Sequence, residues 1–286
     1  MTFRSQMGSF GTWLHPRYGD AARAEFASEA EDLGYTVAWL GLGQASVTDL
    51  EPVERALQAT STLIVATAIV NMWTNDADEI AASYHRIISS YGDRFLLGIG
   101  IGHPEVVSSF QKPYTKMVDY LNRLEAAGVP ADRRILAALG PRALRLAADR
   151  TLGTHPYLAV PEHTRAARTA LGSGVVIAPE QTIVLDDDTQ AARGIARAFV
   201  SDPYLSLSNY TNNWRRHGFD DSDLDADGSD RLIDALVPHG AAQSVAARLR
   251  EHLGSGADHI GIQLLTSNSE SPMPGYATLA RELFNA

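Results

Sequence analysis

Apolar residues along this chain follow two alternating patterns: short runs typical of buried strands, and longer segments with helical spacing. Residues 63–73 (LIVATAIVNMW) form a nearly continuous β-branched run, which indicates a strand buried on both faces of a parallel sheet. Residues 76–92 form an amphipathic helical pattern that ends at a glycine. Together the patterns predict eight strands separated by helices. The strands are expected within residues 7–15, 36–42, 63–73, 94–103, 133–139, 153–159, 174–185 and 257–265.

This alternation predicts the fold class. Eight β/α units in 286 residues suit one (β/α)8 TIM barrel, for which about 250 residues are typical. A doubly wound open sheet is the alternative, and the strand count favours the barrel. The partly helical stretch 186–236 predicts an insertion between the seventh and eighth strands. Because no linker or repeat divides the chain, residues 1–286 are expected to form a single domain.

Composition and net charge limit the kinds of ligand and partner that the chain is expected to bind. The net charge of −10 argues against binding to nucleic acid or to an anionic membrane surface, since both require a basic face. The chain has no cysteine, which excludes disulfides and thiolate metal sites and fits a cytoplasmic protein. Neither a signal peptide nor a membrane-spanning segment is evident. We expect no metal site, because the strand-end histidines lack a supporting carboxylate spacing.

The stretch LLGIGIGHPE, residues 96–105, raises the question of a nucleotide-binding turn. Gly98 and Gly100 fit the first two glycines of the pattern G-x-G-x-x-G, but the third position is His103. The dinucleotide fingerprint therefore fails. Two interpretations remain: a strand whose glycines allow close packing of its neighbours, or a strand whose end contacts a ligand.

Several polar residues fall where predicted strands end, and in a TIM barrel such ends form the active-site mouth. His103 and His15 are candidates for general acid or base, because histidine ordinarily titrates near neutrality. Asn71 is a candidate for bonding a cofactor ring or a substrate. A structural role is the alternative for each of them. His155 is expected to fix a loop by hydrogen bonding, and the tryptophans at 13, 39 and 73 either shape a pocket or fill the core.

Five segments, in their order and spacing, resemble those of a known family. The chain resembles the luciferase-like (bacterial luciferase-type) oxidoreductases, and in particular the branch that uses the deazaflavin coenzyme F420. The resemblance implies a TIM barrel with an insertion, a deazaflavin or flavin ring at the carboxyl-terminal mouth, and a homodimer. The segments are ATAIVNMW, RFLLGIGIGH, ILAALGPRALRLAADR, GTHPYL and GADHIGIQLL.

The resemblance also implies a set of cofactor-binding residues. A bulge with a non-proline cis peptide at Ala68 and Ile69 would support the central ring from behind. Backbone after the fourth and fifth strands would hold the phosphate-bearing tail, and the helix beginning at Pro141 would offer free N–H groups there. The implied positions are Ala68, Ile69, Val70, Asn71, Gly102, His103, Ala138, Leu139 and Gly140.

Two departures limit what the resemblance implies. Some sugar-phosphate dehydrogenases of this family have a histidine at the end of the second strand, where this chain reads WLGLGQAS, and a glutamate in place of His103. Their acid–base pair and substrate therefore do not carry over. The sequence predicts an F420-dependent oxidoreductase acting on a small organic substrate. The alternatives are an FMN-dependent monooxygenase and a non-catalytic F420-binding barrel.

Overall fold

The computed structural model describes residues 2–43, 48–102, 112–266 and 270–284. Strands and helices alternate along these residues, as the apolar patterns predict. The strands are β1 (Phe10–Leu14), β2 (Val37–Gly41), β3 (Ile64–Ala68), β4 (Val70–Asn71), β5 (Phe95–Gly100), β6 (Arg134–Leu136), β7 (Gly153–Thr154), β8 (Val176–Ile177), β9 (Glu180–Ile183) and β10 (Ile260–Leu264).

The helices cover the outside of the strands and extend the chain between β9 and β10. None of the described helices is both long enough and apolar enough to cross a membrane. The helices are α1 (Phe3–Gln6), α2 (Asp20–Asp32), α3 (Glu51–Ala59), α4 (Ala77–Tyr91), α5 (Pro113–Ala126), α6 (Pro141–Arg150), α7 (Pro161–Leu171), α8 (Thr189–Ser201), α9 (Ser208–Arg216), α10 (Asp221–Leu224), α11 (Asp230–Leu236), α12 (Ala242–Gly254) and α13 (Met273–Phe284).

All strand pairs are parallel, and the sheet curls back on itself. Its order is β8-β7-β6-β5-β3-β2-β1-β10-β9, with β4 also paired to β5. Because β8 and β9 are two pieces of one segment, separated only by Ala178 and Pro179, the two ends of this path meet. β3 and β4 are likewise pieces of one predicted strand. The eight strand positions confirm the predicted α/β, TIM-barrel-like fold class.

Every residue of the strands is buried, which is why their sequences read as continuous apolar runs. Alternate side chains point to opposite faces. Trp39, Ala66 and Leu96 pack inside the barrel, where Phe3 of α1 joins them. The intervening residues, such as Leu40 and Val65, pack between the strands and the surrounding helices.

The chain between β9 and α12 has a core of its own. Val200 of α8, Trp214 of α9 and Leu232 of α11 belong to an apolar cluster separate from the two barrel clusters. These helices occupy the stretch predicted as an insertion. That the stretch is an insertion relative to other barrels, and that residues 1–286 form one domain, stay predictions.

A one-residue bulge interrupts the third strand position. β3 pairs with β5 through Ala66 and Leu96, whereas β4 resumes through Val70 and Ile99. Three residues therefore lie opposite two, which is the count of a β-bulge. The peptide bond between Ala68 and Ile69, inside this bulge, is cis. The bulge and the cis bond both lie where the family resemblance places them.

Thr67 and Gly98 hold the bulge together. The Thr67 hydroxyl donates to the carbonyl oxygen of Gly98 at 2.8 Å, and its oxygen accepts from the Gly98 N–H, also at 2.8 Å. A Cβ on residue 98 would lie 1.8 Å from the Thr67 carbonyl oxygen. Only glycine fits at this position, so the close-packing interpretation of Gly98 is correct.

Three strand boundaries differ from prediction. The stretches 63–73 and 174–185 each form two short strands rather than one, because of the bulge and of the break at Ala178 and Pro179. The predicted strand 153–159 is reduced to Gly153–Thr154. It cannot extend to residue 159, because Leu158 adopts a left-handed conformation, with φ of 50°, that no strand accommodates.

We expect Gly98→Ala to lower the free energy of unfolding by about 1–3 kcal/mol or more, since the added methyl group must displace the Thr67 backbone. Chemical denaturation measures the change. Gly194→Ala is the matched control: residue 194 lies inside α8 with no atom within 4 Å of an added Cβ, so alanine should be neutral or stabilising. Equal stability of the two variants would contradict the role assigned to Gly98.

Candidate functional site

A cavity of about 480 Å³ opens at the carboxyl ends of the barrel strands. This volume lies within the range of small-molecule sites, about 300–1,000 Å³. Small or aliphatic residues at the ends of β3 to β6 line one side, and aromatic and polar residues line the other. The lining includes Trp13, His15, Pro16, Gly43, Ala68, Ile69, Asn71, Gly100, Ile101, Gly102, Pro113, Met117, Ala137, Ala138, Leu139, Gly140, Ala143, His155, Tyr157, Tyr204, Asn209, Tyr210, Asn212 and Arg216.

The cavity brings together most residues that the sequence nominates. Val70 is the exception among the described ones: it is fully buried and packs in the core between strands and helices. His103 lies outside the described residues. The roles assigned to all of these residues stay predictions. The nominated residues that line the cavity are His15, Ala68, Ile69, Asn71, Gly102, Ala138, Leu139 and Gly140.

The glycines after Gly98 keep one side of the cavity free of side chains. A Cβ on Gly100 would lie 3.0 Å from the Ile69 side chain and 3.1 Å from Ala137 Cβ. Gly102 has a φ of 65°, and a Cβ there would lie 2.7 Å from Asn71 Nδ2. Because both positions present bare backbone, a flat ring can approach the bulged strand closely.

Asn71 is held rigidly beside the bulge. Its side-chain oxygen accepts the Trp73 N–H at 2.9 Å, and its backbone oxygen accepts both the N–H and the side-chain amide of Asn75, at 3.1 and 3.0 Å. Asn71 itself is 1% exposed. These bonds fix the amide group at the end of the third strand position, on the cavity wall.

The start of α6 forms a polar end of the cavity. Gly140 is the N-cap of this helix and provides no side-chain cap, so the first N–H groups of the helix lack the partner that a serine or aspartate would supply. The Nε2–H group of His163 donates to the Leu139 carbonyl oxygen at 3.1 Å and holds the loop. A helix start of this kind favours an anion.

Arg142 lies in the first turn of α6, and two further cations lie at or near the cavity, in a chain of net charge −10. Arg142 lies over the ring of Tyr114 at 4.3 Å, and Lys116 Nζ is 5.6 Å from the centre of the Trp73 ring. Arg216 lines the cavity and donates to the side-chain oxygen of Asn213 at 3.2 Å. Local positive charge therefore accompanies the helix start.

His15 uses one ring nitrogen as an acceptor at the edge of the cavity. Its Nδ1 accepts the Arg17 N–H at 3.1 Å, so the neutral ring carries its proton on Nε2. Burial lowers the pKa of His15 to about 4, with further lowering by Arg17 and Arg23. A neutral imidazole with an occupied Nδ1 suits donation to an oxygen of a ligand better than removal of a proton.

His155 fixes a loop by hydrogen bonding, as expected from the sequence. Its Nδ1–H donates to the Ala178 carbonyl oxygen at 2.7 Å, and its ring stacks on Trp39 at 4.0 Å. Burial lowers the pKa of His155 to about 3. Trp39 donates in turn to His259 Nε2 at 3.0 Å, inside the barrel. Trp39 therefore belongs to the core inside the barrel, whereas Trp13 lines the cavity.

An aromatic wall, by which we mean Trp13, Tyr157, Tyr204 and Tyr210, lines part of the cavity. Sequence reasoning considered Trp13 for a pocket but missed the three tyrosines. The Tyr157 ring lies 5.8 Å from Trp13, 5.6 Å from Tyr204 and 6.4 Å from Tyr210. Tyr210 and Arg216 lie in residues 209–219 (NYTNNWRRHGF), where no motif assigns them a contact. The buried carboxyl group of Glu180, behind this wall, was also missed.

No cluster of three or more histidine, cysteine, aspartate or glutamate side chains suited to a metal ion occurs among the residues that the structure describes. The polar groups at the cavity instead suit an organic ligand with an anionic part: bare backbone beside a bulge, a neutral histidine donor and an uncapped helix start. The fold and the cavity thus define a TIM-barrel-like protein with a cavity at the strand ends.

Residues 9–259 match the family of luciferase-like monooxygenases, and the chain belongs to that family. It is therefore a luciferase-like oxidoreductase, and the resemblance to this family as a whole is confirmed. No protein of curated function matches the chain significantly by sequence.

Solved structures with low sequence identity share the fold over nearly the whole chain. An F420-dependent secondary alcohol dehydrogenase, in complex with an F420–acetone adduct, is 12% identical (TM-score 0.73; 96% of this chain, 97% of that one). Coenzyme F420-dependent tetrahydromethanopterin reductase from Methanopyrus kandleri is 15% identical, with a TM-score of 0.73 over 97% of this chain and 99% of that one. The oxygenating constituent of 3,6-diketocamphane monooxygenase from Pseudomonas putida, in complex with FMN, is 13% identical, with a TM-score of 0.70 over 96% of each chain.

Buried histidines predict loss of stability in acid. Burial lowers the pKa values of His15, His163 and His259 to about 4, and those of His155 and His252 to about 3. An unfolded histidine titrates near 6.5, so the unfolded chain binds more protons below that pH. The free energy of unfolding should therefore fall as the pH drops from about 6.5 to about 4.

Chemical denaturation across this pH range measures the slope. His163→Phe removes one buried histidine. The pH dependence of its free energy of unfolding should therefore correspond to up to about one bound proton fewer than in the wild type. His85→Gln, on the exposed face of α4, is the control. A wild-type stability that is constant or rises on acidification would refute the assignment.

Proposed function

We propose that this protein is an F420-dependent oxidoreductase that acts on a small organic substrate. The observation that carries the proposal is that one cavity joins the bulged third strand position to the uncapped start of α6. This arrangement provides a flat backbone surface for a ring and an anion site for a phosphate-bearing tail. The two F420-dependent enzymes among the structural relatives support the choice of cofactor.

The residues at the cavity fit such a cofactor. Gly100 and Gly102 leave room for a ring against Ile69, because a Cβ at either position would intrude. The N–H groups at the start of α6, with Gly140 at the N-cap, would hold the phosphate group. His103, which follows Gly102 in the chain, stays the predicted second contact to this tail.

The deazaflavin supplies hydride transfer when bound, and the protein positions the substrate and polarises it. His15 would donate a hydrogen bond to the substrate oxygen from its Nε2–H group. Asn71, fixed by Trp73 and Asn75, would orient the ring or the substrate. His103 stays a candidate for proton transfer, with a cofactor contact as the alternative. The aromatic wall would cover the substrate and exclude water.

An FMN-dependent monooxygenase of the same fold is the second candidate. The FMN complex of the diketocamphane monooxygenase constituent favours it, because that relative covers the chain as fully as the F420-dependent ones. The third candidate, a non-catalytic F420-binding protein, predicts tight cofactor binding without turnover on any substrate. We further propose a cytoplasmic homodimer with a small-molecule substrate, in keeping with the family resemblance and the absence of cysteine.

Cofactor titration separates the first two candidates. We expect purified protein to bind F420 with a dissociation constant in the micromolar range or tighter, and to bind FMN more weakly. Absorbance and fluorescence titrations with both compounds measure this. Oxygen consumption by the protein with reduced FMN is a second test, because reduced flavin reacts with oxygen and reduced deazaflavin reacts poorly. Tight binding of FMN without binding of F420 would refute the proposal.

A carboxylate at the start of α6 should separate stability from cofactor binding. Gly140→Asp caps the helix and should stabilise the protein by up to about 1–2 kcal/mol. It should also weaken F420 binding, because its charge opposes the phosphate group. A Cβ at residue 140 meets no atom within 4 Å, so the variant should fold.

Ala241→Asp is the matched control. Residue 241 is the exposed N-cap of α12 and, like Gly140, makes no side-chain cap. The new cap should stabilise without changing F420 binding. If Gly140→Asp binds F420 as tightly as Ala241→Asp does, the phosphate does not lie at the start of α6.

A further inference from the structure

Glu180 is a fully buried carboxyl group inside the barrel. It begins β9, where Gln181 points outward to His252 of α12 and Ile183 packs against the outer helices. Alternation along the strand therefore directs Glu180 inward. Its hydrogen-bond partners are neutral: the hydroxyl of Thr182 and the backbone N–H of Leu158, the latter at 3.1 Å.

Leu158 is held at both of its backbone polar groups. Its N–H donates to Glu180 Oε2 at 3.1 Å, and its carbonyl oxygen accepts from Trp214 Nε1 at 3.0 Å. With φ of 50°, this leucine adopts the left-handed conformation, which branched residues rarely occupy without support from their surroundings. The two bonds tie the left-handed turn to the barrel on one side and to α9 on the other.

Tyr157 immediately precedes this turn and is the centre of the aromatic wall. Its hydroxyl donates to Gln263 Oε1 at 2.9 Å, and the Tyr204 hydroxyl donates to it at 3.3 Å. Its ring contacts Trp13 from β1 and Tyr210 from α9. The backbone conformation at Leu158 therefore sets where the Tyr157 ring lies in the cavity.

We propose that Glu180 is a positioning residue: its buried side chain holds the backbone of Leu158 and thereby keeps Tyr157 in the cavity wall, against the bound ligand. The ligand-binding part of the proposal rests on the proposed function, because the probes are its two cofactors. The role does not require Glu180 to touch the cofactor or the substrate.

Titration of Glu180 gives a separate signature. Burial raises its pKa to about 8, so the folded chain keeps a proton that the unfolded chain releases near pH 4.3. Glu180 thus makes stability fall as the pH rises from about 4.3 to about 8. Among the described residues, four tyrosines interact electrostatically with Glu180, and burial raises their pKa values. They are Tyr157, Tyr204, Tyr210 and Tyr276.

The test compares Glu180→Ala and Glu180→Gln with Glu251→Gln, an exposed control on α12 whose carboxylate pairs with Arg248. The glutamine amide oxygen can still accept the Leu158 N–H. We expect Glu180→Ala to weaken binding of F420, or of FMN if that is what the wild type binds, by about tenfold, and Glu180→Gln by less than about twofold. The near-ultraviolet circular dichroism of the aromatic wall should change in the alanine variant alone.

Two outcomes would overturn the proposal: an alanine variant that binds like the wild type, or a glutamine variant that folds yet loses as much affinity as alanine. If the alanine variant does not fold, the glutamine variant tests the proposal. It should retain binding, and its free energy of unfolding should fall less than that of the wild type as the pH rises from about 5 to about 8. If the wild type binds neither cofactor, the proposed function fails, while the circular dichroism and the pH slope still test Glu180.

Discussion

The pair of hydrogen bonds between the Thr67 side chain and the Gly98 backbone is the constraint on which the cavity depends. An extra residue in the third strand position interrupts the pairing with β5, and the threonine hydroxyl replaces the missing backbone partners. Beyond the bulge, Ile69 and Asn71 line the cavity. The close approach excludes any side chain at Gly98, and the next alternate positions, Gly100 and Gly102, face the same surface without one.

Sequence patterns predicted the architecture because a parallel barrel imposes a strong signal on every strand. The errors have local causes. A bulge adds one residue without changing the apolar character of the run, so 63–73 read as a single strand. Leu158 gives no sign of a left-handed turn, since glycine and asparagine are the usual residues there, and 153–159 read as continuous for that reason.

The site was predictable only where topology alone brings residues together. The ends of parallel strands meet at one mouth, so His15, Asn71 and Gly102 could be grouped before any coordinates were known. Tyr204 and Tyr210 reach the same mouth from helices after β9, through contacts between residues 47 or more positions apart, such as that of Tyr204 with Tyr157. Protonation was equally hidden: the ordinary pKa of histidine lies near neutrality, whereas burial in the folded chain lowers the pKa of His15 to about 4.

The cavity draws on both the barrel core and the outer core. Trp13 and Ala68 belong to the cluster inside the barrel, whereas Tyr210 belongs to the outer cluster, against which Leu139 also packs. The glycine-rich side is built by strands whose side chains fill the barrel, whereas Tyr210 and Arg216 come from a helix whose Trp214 packs in the separate cluster with α8 and α11. Substitutions in that outer cluster can reshape the aromatic side while the bulge and the start of α6 stay intact. The strands thus provide one part of the cavity wall and the helices after β9 another, so the shape of the cavity at Tyr210 and Arg216 can change without a change in the bulged strand.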